Sequence, residues 1–305
     1  MNKNRLLVSV LMITYNHEKY IEYAIEGIVN QITDFNYELI ITDDNSNYDV
    51  KKIVNQFKDT SDRVIIRCHE NSINFGMAKN FQLAYSMAEA KYIAICEGDD
   101  YWTDVNKLQK QVDFLNSRPK YQFCFTRFKT YRQDLNTFQE DVNGKYFFNE
   151  PFINIDFESL QSGWHMGTQT LLFRRESLDL DTIKSFSLFR DMHIITQLLK
   201  KGQGACLSFF GAVYRIHDAG IHSTLNNYKK IELGYLVYKE IYEDNPSNKF
   251  LKERYIRSFK DYVISLIKSR RLLKAINMSF KLLINNGDLV LFLKHIKRIV
   301  LKKLN

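Results

Sequence analysis

The chain has 305 residues, 45% of them hydrophobic, enough for one large α/β domain with an appendage and incompatible with global disorder. Its net charge of +8 is unevenly divided: 15 Lys/Arg face 3 Asp/Glu from Lys249 to Asn305, a net of +12, which leaves −4 for the rest. The basicity therefore belongs to the C-terminal segment, and no recognised nucleic-acid module accompanies it.

Leu6–Thr14 opens the chain as a Val/Leu/Ile-rich run, too short to cross a bilayer and followed by no small-residue cleavage site. Further apolar runs lie at 38–42, 64–68 and 92–96. The stretches between them have helical spacing: Ile21, Ala24, Ile25 and Ile28, then Val50, Ile53, Val54 and Phe57, then Phe81, Ala84, Tyr85 and Ala88. This alternation predicts a doubly wound, mostly parallel sheet covered on both faces, with ligands beyond the carboxyl ends of its strands.

Those ends are polar. They read Thr14-Tyr15-Asn16, Asp43-Asp44-Asn45-Ser46 and Glu97-Gly98-Asp99-Asp100. Five carboxylates on one edge repel one another unless a cation or hydrogen-bond donors compensate. Helix capping is the plainer use of Asp44 or Ser46, and of Asp104 before the helix predicted at 107–116.

Later segments are less regular. Strands are expected at 123–128, 170–174 and 207–216, a polar loop or hairpin at 134–149, and a helix at 191–199. Everything beyond about Tyr228 has helical period, and Leu289, Leu293, Ile296 and Val300 share one face of a basic helix. Such a helix suits an anionic membrane surface; a solvated bundle face or a homo-oligomer contact is the alternative. The four cysteines form no C-x-x-C pair and read as buried, reduced thiols of a cytosolic protein.

Taken in order, these pieces resemble the inverting family-2 glycosyltransferases of the GT-A fold that build bacterial surface polysaccharides such as capsule and lipopolysaccharide. The likeness runs from about Val8 to Ser223. It rests on the opening strand to Asn16, the Asp43-Asp44-Asn45-Ser46 turn, Asn74-Phe75-Gly76 with Asn80, Glu97-Gly98-Asp99-Asp100, Asp191, and Tyr214-Arg215-Ile216-His217. It implies a catalytic domain over 1–227, with a nucleotide-binding half (1–117) and an acceptor half (118–227), and a helical basic tail over 228–305.

The resemblance also implies roles. Mn²⁺ or Mg²⁺ would bind Asp100, with His217 as a nitrogen ligand or merely a surface or core histidine. Asp99 would hold the ribose or a metal-bound water. Asp44 would accept the imide N–H of uracil in a pocket completed by Thr14, Tyr15 and Asn16, and Lys79 would approach the diphosphate or stand solvated on its helix. Asp191 would be the general base of a single inverting displacement, its plainer alternative being a helix N-cap; relatives often carry an acidic pair where this chain has Arg190-Asp191. Trp164 and His165 would meet the acceptor, a core tryptophan being the alternative. The partners implied are a nucleotide sugar, with UDP expected, and a glycan or lipid-linked acceptor at the inner face of the cell membrane. A catalytically degenerate glycan- or membrane-binding subunit is the non-enzyme alternative. A sugar nucleotidyltransferase needs a Gly-rich basic loop that His17-Glu18-Lys19 does not supply, and a dinucleotide oxidoreductase needs an absent G-x-G-x-x-G.

Overall fold

Strand β1 (Leu6–Thr14) is buried along most of its length because neighbours pair on both sides and helices cover both faces. It pairs in parallel with β2 (Asn36–Asp43) and β4 (Tyr92–Ile95), and β2 pairs in parallel with β3 (Val64–Glu70). Near-continuous apolar strands follow from that double coverage, since neither face meets water.

The structure, a computed structural model, describes residues 6–161, 166–218, 220, 225–286, 297 and 301, with the backbone alone at 282–286. It divides into two compact units, 1–218 and 219–305.

In the first unit the sheet has ten strands in the order β3-β2-β1-β4-β9-β6-β10-β5, with β7 on β6 and β8 on β10. The first four strands are parallel, as the repeated apolar runs predict. The remainder is mixed: β9 (Leu172–Arg174) runs antiparallel to both β4 and β6 (Tyr121–Arg132), whereas β6 and the long β10 (Gln203–Ile216) are parallel. The segment 134–149 contains β7 (Thr137–Glu140), hairpinned onto β6. Two short strands escape the sequence pattern, β5 (Tyr101–Trp102) and β8 (Phe152–Ile155), both antiparallel to β10.

Helices α1 (Ile21–Val29), α2 (Val50–Val54), α3 (Met77–Met87) and α4 (Lys107–Ser117) cover the first half. The apolar stripe of α1 is wholly buried, and each such Ile contributes about 1.5–3 kcal/mol. Gly27 lets α1 approach β5, because a Cβ there would lie 2.8 Å from the Trp102 carbonyl oxygen. Helices α5 (Leu180–Ser185) and α6 (Asp191–Lys201) follow β9.

The second unit holds α7 (Asn227–Asp244), α8 (Lys249–Lys268) and α9 (Leu272–Asn286). Its core is aromatic: Tyr235 stacks on Tyr262, and Tyr242 on Tyr255, with centroids 4.9 and 5.1 Å apart. Glu232 accepts from the Tyr228 and Tyr262 hydroxyls and from Lys274 Nζ. Residues 249–286 are thus two helices that pack with α7; the Leu289–Val300 face lies outside the described residues. No helix among the described residues is long and apolar enough to cross a membrane.

Candidate active site

The carboxyl ends of β1, β2, β3 and β4 stay tied together where the ladder stops. Asp44 N–H donates to the Thr14 carbonyl, Gly98 N–H to Ile13, and Asn71 N–H to Asp43, at 2.9, 3.1 and 2.9 Å. Asn16 and Asn45 both take left-handed backbone, φ 57° and 65°, a conformation that asparagine tolerates better than other side chains. Asn16 N–H then donates to Ser46 Oγ (2.8 Å), and Asn47 N–H donates to Asn16 Oδ1 (2.9 Å).

Neither Asp44 nor Ser46 caps a helix. The N-cap of α2 is Asp49, whose carboxylate accepts from Lys52 N–H. Asp43 accepts from the Ser46 N–H and hydroxyl. Asp44 is buried and holds the 71–76 loop: Oδ1 accepts from Asn71 Nδ2 (3.1 Å) and Phe75 N–H (2.8 Å), and Oδ2 from Gly76 N–H (2.8 Å). A carboxylate offers about four acceptor positions, which leaves about one for a ligand. Gly76 is required for its φ of 84°. Asn80 carries the loop onto β2 by donating from Nδ2 to the Thr42 carbonyl. Thr14 is buried, Tyr15 is 44% exposed, and Lys79 is exposed on the first turn of α3.

The second cluster follows β4. Arg215 N–H donates to Asp100 Oδ1 at 2.8 Å, while Asp100 Oδ2 is buried without a hydrogen-bond partner. Burial, then the charges of Asp99 and Glu97, hold the Asp100 carboxyl well above the usual range. Burial, then Asp99 and Asp191, raise Glu97 to about 8. Burial also opposes the Asp99 carboxylate, but the His217 hydrogen bond and the His17 and His217 rings outweigh it and pull its pKa down. Asp99 Oδ2 lies 3.2 Å from His217 Nε2 and 3.7 Å from His17 Nε2. His217 therefore joins Asp99 rather than Asp100, and it is buried. Gly98 permits this packing, since a Cβ would lie 2.8 Å from Thr14 Oγ1 and 2.9 Å from His17 Nδ1.

Asp191 heads α6 as its first residue; the N-cap is Arg190, so the N-cap alternative does not hold. Its Oδ1 accepts from Met192 N–H at 2.8 Å, and its charge reaches Glu97 and Tyr214. Arg190 turns away, its Nη1 on Phe189 O and Met77 Sδ. Burial pushes the Tyr214 hydroxyl up, and the charges of Asp100, Glu97, Asp99 and Asp191 push the same way. The charge of the base candidate is thus felt at the Glu97–Asp100 cluster. Trp164 and His165 lie outside the described residues.

The sequence reading gave no site role to His17, nor to Tyr214 and Arg215 within the Tyr214-Arg215-Ile216-His217 motif. His17 follows the polar end of β1 by one residue, and Arg215 stands two before His217, so same-face spacing on β10 was the usable signal for the latter.

A divalent cation fits what is present. The orphaned Asp100 oxygen lacks a hydrogen-bond partner, and carboxylate oxygen with imidazole nitrogen is a donor set that Mn²⁺ or Mg²⁺ accepts. Among the described residues no group of three or more His, Cys, Asp or Glu side chains is placed to hold a metal ion, so a cation here would take most of its ligands from substrate phosphates and water.

The sequence model of glycosyl transferase family 2 matches residues 9–181, more than half of the chain. An uncharacterised protein of Mycobacterium tuberculosis is 30% identical over 73% of this chain, and the chain spans 63% of that relative's length. WfgD of Escherichia coli, named as a UDP-Glc:alpha-D-GlcNAc-diphosphoundecaprenol beta-1,3-glucosyltransferase, is 25% identical over 74% of this chain and 83% of its own. Among solved structures, the mannosyltransferase PcManGT of Pyrobaculum calidifontis, in complex with GDP-Man and Mn²⁺, superposes with a TM-score of 0.61 at 16% identity, covering 98% and 84% of the two chains. TarS of S. aureus in complex with UDP-GlcNAc gives 0.59 at 16% identity, covering 85% and 81%. The fold is the GT-A fold, and the chain belongs to glycosyl transferase family 2.

Proposed function

We propose that this chain is an inverting, metal-assisted glycosyltransferase that moves a sugar from a UDP-sugar to a hydroxyl of a glycan or lipid-linked acceptor. The observation that carries the reading is the turn after β4, where Asp100 keeps a buried oxygen without a partner beside an Asp99 that His217 holds.

Asp100 and His217 would hold the cation, which supplies counter-charge for the leaving diphosphate, and Asp99 would hold the ribose or a metal-bound water. Asp44, with Thr14, Tyr15 and Asn16, receives the base through its remaining acceptor position, and Lys79 stands near the phosphates. Asp191 takes the proton of the acceptor hydroxyl. The acceptor oxygen bonds to the anomeric carbon as the bond to the phosphate oxygen breaks. The nucleoside diphosphate leaves with the electron pair, and one displacement inverts the configuration. Trp164 and His165 complete the acceptor side in this reading.

The donor and acceptor classes draw on the relatives: WfgD is named for UDP-Glc and a diphosphoundecaprenol-linked acceptor, and TarS holds UDP-GlcNAc. The net +12 of residues 249–305 would favour an anionic membrane surface, where such acceptors reside. Full-length protein should release sugar from a UDP-sugar in Mn²⁺ and not in chelator. A panel of UDP- and GDP-sugars that yields no metal-dependent release would sink the reading.

A further inference from the structure

The end of β10 does more than present His217. Arg215, two residues earlier and on the same face, makes two bonds to the Asp99–Asp100 turn: its backbone N–H donates to Asp100 Oδ1 at 2.8 Å, and its Nε donates to the Asp99 carbonyl at 3.0 Å. With His217 on Asp99 Oδ2, one short piece of strand holds the turn at three points.

The guanidinium is itself fixed. Its Cζ lies 4.9 Å from the Tyr20 ring centroid, 5.2 Å from Tyr101, and 5.7 Å from both Tyr23 and Tyr131. These rings come from α1 and its N-cap, from β5 and from β6, so three separate elements converge on one cation. Tyr20 packs on His217 as well, with centroids 4.5 Å apart, and so wedges both residues. A planar cation packed among aromatic faces loses little further freedom when it binds. No carboxylate side chain is within ion-pair distance of this guanidinium among the described residues; its polar partner is a backbone carbonyl.

We propose that Arg215 is a positioning residue of the transferase site: boxed by four tyrosines, it fixes from behind the turn that carries Asp99 and Asp100. This rests on the reading that those two carboxylates serve the donor diphosphate. The side chain touches no reacting atom; it sets the orientation of the groups that do. Lysine at this position keeps the charge inside the tyrosine box but cannot reproduce the Nε bond, so charge and geometry are separable.

The test uses the full chain, with UDP and GDP as probes, by calorimetry in Mn²⁺ and in chelator, for the wild type, Asp100→Ala, Arg215→Lys and Arg215→Ala. Thermal midpoints are recorded in parallel. The wild type should gain affinity from Mn²⁺, and Asp100→Ala should lose that gain. Arg215→Lys should keep its thermal midpoint and its metal-free affinity yet lose roughly three- to tenfold of the gain, the cost of one hydrogen bond. If Arg215→Ala fails to fold, Arg215→Lys carries the test. A full gain in Arg215→Lys overturns the positioning role while leaving the site intact. So does a parallel fall in thermal midpoint, metal-free affinity and gain, which marks Arg215 as structural only. A wild type without any gain, or Asp100→Ala retaining it, overturns the reading of the carboxylates and the role of Arg215 with it.

Discussion

His217 Nε2 stands 3.2 Å from Asp99 Oδ2, while the neighbouring Asp100 keeps one oxygen buried and unpaired. The two adjacent carboxylates therefore have opposite environments. Asp99 is held charged by two imidazoles, and Asp100 is driven toward its neutral form by burial and by its neighbours. Asp100→Asn should keep an acceptor for Arg215 N–H and remove the repulsion. In chelator it should be about 1–3 kcal/mol more stable than the wild type, and it should show no Mn²⁺-dependent nucleotide binding. Denaturant unfolding and calorimetry on the same samples measure both; a variant that is less stable and still binds in a metal-dependent way contradicts the assignment.

Glu97 gives a pH dependence with a definite sign. Its folded pKa of about 8 lies above the ordinary 4.5, so the folded chain binds the extra proton. The stability it contributes is complete below about 4.5 and is lost as pH rises through about 8. In chelator, Glu97→Gln should remove that slope, and the advantage of the variant over the wild type should grow from acid toward pH 8. Parallel pH profiles of thermal midpoint for the two proteins would count against this account.

Asp44 links the base pocket to the 71–76 loop through three accepted hydrogen bonds. Asp44→Ala strands the Phe75 N–H and leaves Gly76 N–H only Asn74 Oδ1, so we expect a loss of about 1–3 kcal/mol of stability. UDP should bind the wild type more tightly than GDP or ADP, and the variant should lose that preference. Equal affinities of the wild type for the three nucleotides would show that the remaining acceptor position does not read uracil.

Lys107 is fully buried, donating to Gln111 Oε1 at 2.8 Å with its Nζ 3.7 Å from the Trp102 ring centroid. Burial lowers its pKa to about 7 from 10.5. The unfolded chain binds the proton more tightly, so this group destabilises the fold below about 7 and the penalty fades as pH rises to about 10.5. Lys107→Met should be more stable than the wild type at neutral pH, with the difference shrinking toward pH 10.5. An unchanged or lower thermal midpoint at pH 7 goes against the burial argument.

How much of this was legible follows from the physics of each element. Leu6–Thr14 was read to its ends because burial on both faces leaves an unbroken apolar run. Strands β5 and β8, of two and four residues, are too short to show a period, and each exists only because β10 offers it an edge. The Glu97–Asp100 cluster was visible as charge at a strand end, and Asp191 as the start of a helix. Which imidazole would meet which carboxylate was not visible, because β10 lies more than a hundred residues further along and its register against the turn is a tertiary fact. Capping by Asp44 or Ser46 was a fair local reading, overridden by Asp49 a few residues later. The aromatic wedge on Arg215 draws Tyr20, Tyr23, Tyr101 and Tyr131 from three elements, and no local pattern announces it.

The most direct measurement is an NMR time course of the sugar released from an α-linked UDP-sugar in Mn²⁺, run with the wild type and with Asp191→Asn. Water here replaces the acceptor hydroxyl and must lose its proton to the same base. The account predicts the β anomer as first product of the wild type. It also predicts a rate about 10²–10⁴-fold lower for Asp191→Asn, with UDP affinity unchanged. Release of the α anomer first, or a loss of less than tenfold in the variant, would contradict it.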